Sequence, residues 1–320
     1  MLALRSVNGP EYRHRAIRHV ASLAKLLGLP EGELRALAGD SASYWIPGKT
    51  MVKKNGDLRP TSNARPPLKK IHRKIVDTIF RRVYYPTYLM GGIPSDQAAG
   101  CIRHYEENAR KHSGKAIVIG ADIKTFYPSI PISNVRRIWS SLFGFSPEVT
   151  DLLTELVTYK GEVPQGWAPS SYLANLALWD VEPAVVDWFE NRGWTYTRWI
   201  DDITISNRNF AGPRGKKVAI AKIYGMLLSR SFRPNRKKHE LMTSGSRQKI
   251  MGRNVVAPSP TVTKDERAVV RAMVRNLRRD KMTLDVGAYR VRSQTVLGEI
   301  GRLKRFHPQL SAKLRAEVLG

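Results

Sequence analysis

The stretch Thr197–Ser206, TRWIDDITIS, decides the fold. Successive side chains of a strand point to opposite faces. The sequence WTYTRWIDDITIS (194–206) alternates in that way and predicts two strands joined by a tight turn, with Asp201 and Asp202 at the turn. Two like charges a few ångströms apart repel, so a pair held in an apolar ribbon shifts its pKa values or takes up a cation. Alone, such a pair in a turn is more often simply solvated. Its company in the chain separates the two readings.

Upstream, KAIVIGADI (115–123) is a short β-branched run that reads as a buried strand ending in a third acid, Asp122. A strand-end acid beside a pair of turn acids suits Mg²⁺, which prefers hard oxygen ligands, and suits two-metal phosphoryl transfer. Behind Asp122, ADIKTFYPSI places Phe126 and Tyr127. An aromatic ring there would lie under the sugar of an incoming nucleotide and clash with a 2′-hydroxyl; otherwise both residues are packing. VPQGWAPSS offers Gln165 and Gly166, whose amide and backbone would hold a base pair or sugar, or form an ordinary turn. NRKKH supplies Lys238 after Asn235, a cation for a triphosphate.

Charge narrows the partner. The 320 residues carry 54 Lys and Arg against 27 acids, a net charge of +27, which calls for a polyanion such as nucleic acid. Residues 208–253 hold 13 basic residues and one acid, and 261–320 hold 14 and six, mostly on helical patterns. No apolar run is long enough to span a bilayer, and the N-terminus lacks the apolar core of a signal peptide. The expectation is a cytoplasmic protein with no membrane partner. The single cysteine, Cys101, excludes an intrachain disulfide and a multi-cysteine zinc site.

Periodicity and punctuation predict helix within 11–40, a hairpin at 51–60 with Asn55-Gly56 at its tip, and a basic amphipathic helix over 66–86. They further predict a Gly-rich loop at 91–100, a helix over 147–161 and a long helix over 172–193 interrupted near Pro183. PRGKK (213–217) reads as an exposed turn.

Taken in order, Asp122 with its aromatics, Gln165-Gly166, Asp201-Asp202 and Asn235-x-x-Lys238 resemble the palm of reverse transcriptases. Among these the chain looks most like the retron-type enzymes of bacteria. RPTSNARPPLKKIHRKI resembles their fingers segment, and YLANLAL the helix after their Gln-Gly loop. Asn108, Ala109 and His112 match the retron-associated Asn-Ala-x-x-His signature, ten residues before Asp122. Three positions depart from the pattern: Trp199 stands for the usual Tyr before x-Asp-Asp, and Ser171 for a Pro after the Gln-Gly loop. KIMGRNVV (249–256) stands where Val-Thr-Gly is usual, with only Gly252 matching.

The resemblance implies an α+β right-hand polymerase fold: N-terminal helices and fingers over 1–114, a palm over 115–257 whose antiparallel sheet packs on helices, and a basic helical thumb over 258–320. It implies an RNA-directed DNA polymerase, a nucleotidyltransferase. Asp122, Asp201 and Asp202, with Ile123, would hold two Mg²⁺ ions, with Mn²⁺ as a substitute. Arg59, Lys69, Phe126, Tyr127, Gln165, Gly166 and Lys238 would meet the nucleotide, Tyr127 being the first choice of sugar gate. Asn108, His112, Arg253, Lys264, Arg267, Arg271, Arg275 and Arg278 would meet RNA. The implied partners are dNTPs, a structured noncoding RNA of the msr–msd type, its DNA product (msDNA) and an effector protein in antiphage defence. The rival readings are a non-retron, defence-associated reverse transcriptase and a catalytically inactive RNA-binding scaffold that keeps the palm.

Overall fold

The computed structural model describes residues 9–52, 56, 58–98, 100–209 and 212–320. In chain order its principal elements are α1 (Leu68–Thr78), α2 (Tyr105–Lys111), β1 (Ile117–Asp122), α3 (Ser170–Leu176), α4 (Glu182–Glu190) and β2 (Trp194–Trp199). There follow β3 (Asp202–Asn207), α5 (Gly212–Leu228), β4 (Glu240–Thr243), α6 (Lys264–Asp280), α7 (Val286–Leu303) and α8 (Pro308–Leu319). The chain forms two compact units. One comprises Met1–His104, Ile119–Ile205 and Ala211–Leu241; the other comprises Tyr105–Val118, Ser206–Phe210 and Met242–Gly320.

The central sheet has four strands in the order β4-β1-β3-β2. Ile117, Val118 and Ile119 of β1 are wholly buried, as is Ile205 of β3. A strand covered on both faces has no reason to alternate, which is why β1 reads as a continuous apolar run. Strands β2 and β3 form a hairpin closed by Ile200 and Asp201, with Ile200 in the left-handed region at φ 59°. The same unit holds three small antiparallel ribbons: Trp45–Pro47 with Ser62–Ala64, Met51–Val52 with Leu58–Arg59, and Glu11–Tyr12 with Val83–Tyr84. The helix Pro147–Val157 begins where it should, with Ser146 as N-cap and proline in the first turn.

In the second unit, α6, α7 and α8 pack on a core of Val262, Val270, Val274, Leu277, Val296, Ile300, Leu303 and Leu314. Thr263 caps α6 by accepting from the Glu266 N–H, and Asp285 caps α7 by accepting from the Ala288 N–H. Each cap satisfies an amide that the helix itself leaves unbonded. A smaller core of Ala109, Val118, Ile250 and Val255 lies beside three short strands, Lys249–Ile250, Arg253–Asn254 and Thr261–Val262.

Three local expectations change. Residues 11–40 open with a strand, Glu11–Tyr12, and helix starts only at Val20. The helix expected over 66–86 ends at Thr78, whose hydroxyl turns back onto the Lys74 carbonyl, and Val83–Tyr84 are then drawn into a ribbon. Residues 213–217 are the first turns of α5 rather than a loop. The stretch 172–193 is interrupted near Pro183 as expected: α3 ends at Leu176 and α4 begins at Glu182, with Pro183 in its first turn, where no donor is missed. The 51–60 hairpin is present as the Met51–Val52 and Leu58–Arg59 ribbon, and Asn55 lies outside the described residues.

Candidate active site

The end of β1 and the β2–β3 turn bring three carboxylates together. Asp122 is 5% exposed. The Ile123 N–H donates to the Asp201 carbonyl at 3.0 Å, so the end of one strand is stitched to the neighbouring turn. The Asn235 N–H donates to the Asp122 carbonyl at 2.7 Å, Asn235 Nδ2 donates to Asp122 Oδ1 at 2.8 Å, and Lys238 Nζ to Oδ2 at 2.7 Å. The Asn235-x-x-Lys238 spacing thus places two donors on one buried carboxylate.

Burial and like charge govern the site's protonation. Burial first, then Asp201 and Asp122, push the Asp202 carboxyl up to about 7. Asp201 is raised for the same reasons, burial and then Asp122, with Lys238 and Arg59 opposing. Lys238 is raised, chiefly by its bond to Asp122. Tyr127 is pushed up to about 12 by burial and by the charge of Asp201, so its hydroxyl stays protonated. The site is short of positive charge, and its donors are hard carboxylate oxygens. That chemistry fits a divalent ion, although among the described residues no group of three His, Cys, Asp or Glu side chains is arranged as a finished ligand set.

The other expected residues divide. Arg59 is half-buried, and its charge is felt at both Asp201 and Tyr127. Gln165 accepts at its carbonyl from the Ser62 N–H at 2.6 Å, and Gly166, at φ 114°, lies so near that a Cβ on it would sit 2.4 Å from the Ser62 carbonyl oxygen. Lys69 is half-buried on α1. Ile123 keeps its side chain in the core, and Phe126 is 2% exposed and edge-on to Phe232, which makes it a packing residue and leaves Tyr127 as the aromatic facing the carboxylates.

Of the residues expected to meet RNA, Lys264, Arg271, Arg275 and Arg278 are exposed on α6 and Arg267 is half-buried. Asn108, His112 and Arg253 are buried, so their side chains offer no open surface. His112 Nδ1 lies 2.7 Å from Ser206 Oγ, and burial with nearby Lys115 and Lys111 pulls its pKa down to about 3. Arg253 lies between the Tyr105 and Phe306 rings and pairs with Glu266 at 2.7 Å.

Two residues went unnoticed in the sequence: Arg198 and Glu182, a wholly buried ion pair behind the β2–β3 turn. Parity along β2 carries the signal, since Arg198 shares a face with the buried Trp194 and Tyr196.

Residues 51–282 match the family described as Reverse transcriptase (RNA-dependent DNA polymerase). The Retron Se72 reverse transcriptase of Salmonella heidelberg (strain 579083-10) is 32% identical over 271 residues, covering 84% of this chain and 70% of that one. The Retron Ec48 reverse transcriptase of Escherichia coli is 29% identical over 301 residues, covering 90% and 72%. A solved apo telomerase from Candida Tropicalis, truncated from its C-terminal domain, matches with a TM-score of 0.40 at 10% identity over 73% of this chain and 61% of that one, a likeness too weak to build on. The chain belongs to the reverse transcriptase family. Within that family it is of the retron type: an RNA-directed DNA polymerase on a right-hand polymerase fold. Among the described residues no helix is long and apolar enough to cross a membrane.

Proposed function

We propose that this polymerase copies a structured noncoding RNA of the msr–msd type into DNA, leaving msDNA, as the cytoplasmic enzyme of a bacterial antiphage retron with an effector protein. The observation that carries the reading is the cluster of Asp122, Asp201 and Asp202, neutralised in part by Lys238 and faced by Tyr127. Its kinship with retron enzymes over most of its length supports the substrate class.

In this reading the three aspartates hold two Mg²⁺ ions, with Mn²⁺ as a substitute. Bound there, the metals supply activation of the attacking hydroxyl and neutralisation of the leaving pyrophosphate. The protein's own residues do the positioning. Asn235 and Lys238 fix the Asp122 carboxylate. Tyr127 presents a neutral ring where a 2′-hydroxyl would clash, which selects dNTPs. Gln165 and Gly166 line the nucleotide pocket, with Arg59 and Lys69 approaching the triphosphate. The exposed basic face of α6, within a thumb taken as 258–320, contacts RNA phosphates, which carries affinity but little sequence information.

The test is to sequence nucleic acid co-purified with the protein expressed with its native flanking DNA, for wild type and Asp201→Asn. A single structured RNA joined to complementary DNA, with the DNA lost in the variant, is the expected result. RNA without DNA in wild type, unchanged by dNTPs and Mg²⁺, would overturn the reading in favour of an inactive scaffold. DNA with no RNA template would assign the chain to a non-retron defence enzyme.

A further inference from the structure

We propose that Arg198 is a positioning residue for nucleotidyl transfer: with Glu182 it clamps the turn carrying Asp201 and Asp202 to the helix that follows the Gln165–Gly166 loop. The proposal rests on the assignment of those carboxylates given above.

Every donor of the Arg198 guanidinium is used. Nε donates to Glu182 Oε1 at 2.6 Å and Nη2 to Oε2 at 2.7 Å, a two-pronged ion pair with both side chains at or below 1% exposure. Tyr196 Oη donates to the same Oε1 at 2.7 Å. The remaining N–H groups go to backbone carbonyls: Nη1 to Ile200 at 2.9 Å and Ala174 at 3.3 Å, Nη2 to Asn175 at 2.8 Å. Ala174 and Asn175 lie in the last turn of α3, where carbonyls lose their regular helical donors and a cation is favoured; the Ala174 carbonyl keeps only a long bond, 3.4 Å, from the Ala177 N–H. Ile200 is the residue immediately before Asp201.

Two features argue that this network sets geometry rather than merely adding stability. A buried ion pair seldom repays its desolvation, and well-packed apolar residues in its place are often as stable. Ile200 is β-branched and sits at φ 59°, a conformation that persists only when its surroundings over-determine it. Arg198 supplies that restraint directly at the Ile200 carbonyl. Its backbone is held as well, its N–H donating to the Tyr88 carbonyl at 2.8 Å and its carbonyl accepting from the Met90 N–H at 2.9 Å.

The other end of α3 explains what the clamp positions. Ser170 Oγ donates to the Pro164 carbonyl at 2.5 Å, one residue before Gln165. Asn175 Nδ2 donates to the Gly91 carbonyl at 2.9 Å, and Gly91 is so close to the Trp199 ring that a Cβ would stand 2.8 Å from it. One short helix therefore holds the nucleotide loop at its start and the aspartate turn at its end. Arg198 fixes the spacing between them. A lysine has the charge but not the fork, so it reaches only part of this set.

The experiment uses the full chain extending oligo(dT)-primed poly(rA) with dTTP and Mg²⁺, in the variants Arg198→Lys, Arg198→Met, Glu182→Gln and Asp201→Asn. Thermal melting and template binding by fluorescence anisotropy are measured alongside. The expected result is a kcat at least tenfold lower in the Arg198 and Glu182 variants that remain folded, with KM for dTTP and template affinity within threefold of wild type. Adding Ile200→Gly to Arg198→Lys is expected to recover several-fold in kcat, because glycine adopts the turn without restraint. Glu182→Gln keeps the volume and the oxygen that accepts from Arg198 Nε and Tyr196, and loses only the acceptor facing Nη2, so it serves if the Arg198 variants do not fold. A kcat within twofold of wild type in any folded Arg198 or Glu182 variant, whatever its melting temperature, would overturn the clamp. Full activity in Asp201→Asn would instead overturn the assignment of the carboxylates on which the clamp rests.

Discussion

The ammonium of Lys238 lies 2.7 Å from one oxygen of Asp122, and the neighbouring Asp202 carboxyl is held near neutrality by burial and by Asp201 and Asp122. Lys238 is thus the standing counter-charge for a cluster of acids. Its charge opposes the upward shift of both Asp201 and Asp202. Replacing it by methionine removes that opposition. The acid limb of the pH profile of kcat/KM is expected near pH 7 in wild type, since Asp202 is pushed up to about 7. It should move to higher pH in Lys238→Met, and to lower pH in wild type as Mg²⁺ is raised, because metal and proton compete for one carboxylate. Profiles between pH 5.5 and 9 at two Mg²⁺ concentrations check both shifts.

The same carboxyl has a consequence for stability. Its folded pKa, about 7, lies above the ordinary 3.8, so the folded state binds the proton more tightly. Stability is therefore fully present at low pH and lost as pH rises through 7. Asp202→Asn removes that loss. The variant should melt higher than wild type at pH 8, by about 1–3 kcal/mol, with little difference at pH 4. A variant no more stable than wild type at pH 8 would contradict the shift.

His72 and His112 act in the opposite direction. Burial holds His72 at about 4 and His112 at about 3, and His72 Nε2 lies 2.7 Å from the Leu156 carbonyl, which requires its proton on that nitrogen. The unfolded chain protonates both at an ordinary pKa of 6.5, so stability is full above that pH and falls as pH drops from 6.5 toward 4. Each histidine contributes a slope of about 1.4 kcal/mol per pH unit within that window. His72→Gln can still donate to Leu156 and should flatten the dependence by one proton. Denaturant unfolding at pH 7, 6 and 5 measures the slope.

Gly166→Ala should be severe although the residue is exposed. At φ 114° any Cβ is strained, and here it would meet the Ser62 carbonyl at 2.4 Å. The backbone must give way at the Gln165 loop. The expectation is a loss of at least tenfold in kcat/KM for dNTP with only a modest drop in Tm, read by primer extension and thermal melting. An alanine variant with wild-type KM would show that the loop does not line the nucleotide site.

Much of this site was legible because its chemistry is local in sequence. Asp122 closes a run of β-branched residues, and Asp201-Asp202 sit where alternation breaks, so strand and turn could be read directly. The errors came where local composition and tertiary pairing disagree. Val83–Tyr84 continue a helical pattern but are taken by a strand at Glu11–Tyr12, a partner no window could reveal. Pro213 and Gly215 look like a turn, yet Ala219, Ile223 and Leu227 bury one face of α5 and carry the helix back through them. The Arg198–Glu182 pair was invisible for a related reason. Its members lie 16 residues apart on a helix and a strand, and a charge is ordinarily read as surface. The burial of Asn108, His112 and Arg253 also lies beyond any motif, because a signature marks residue types and not which way they face.

Ser62 meets the Gln165–Gly166 loop through its main chain, its N–H on the Gln165 carbonyl and its own carbonyl against Gly166. Evolution can therefore exchange the side chain at 62 freely, proline excepted, without disturbing the seam, while 166 tolerates glycine alone. Neutral drift will collect on one side of this joint and be purged from the other, and a collection of natural variants should display that asymmetry without any assay of activity.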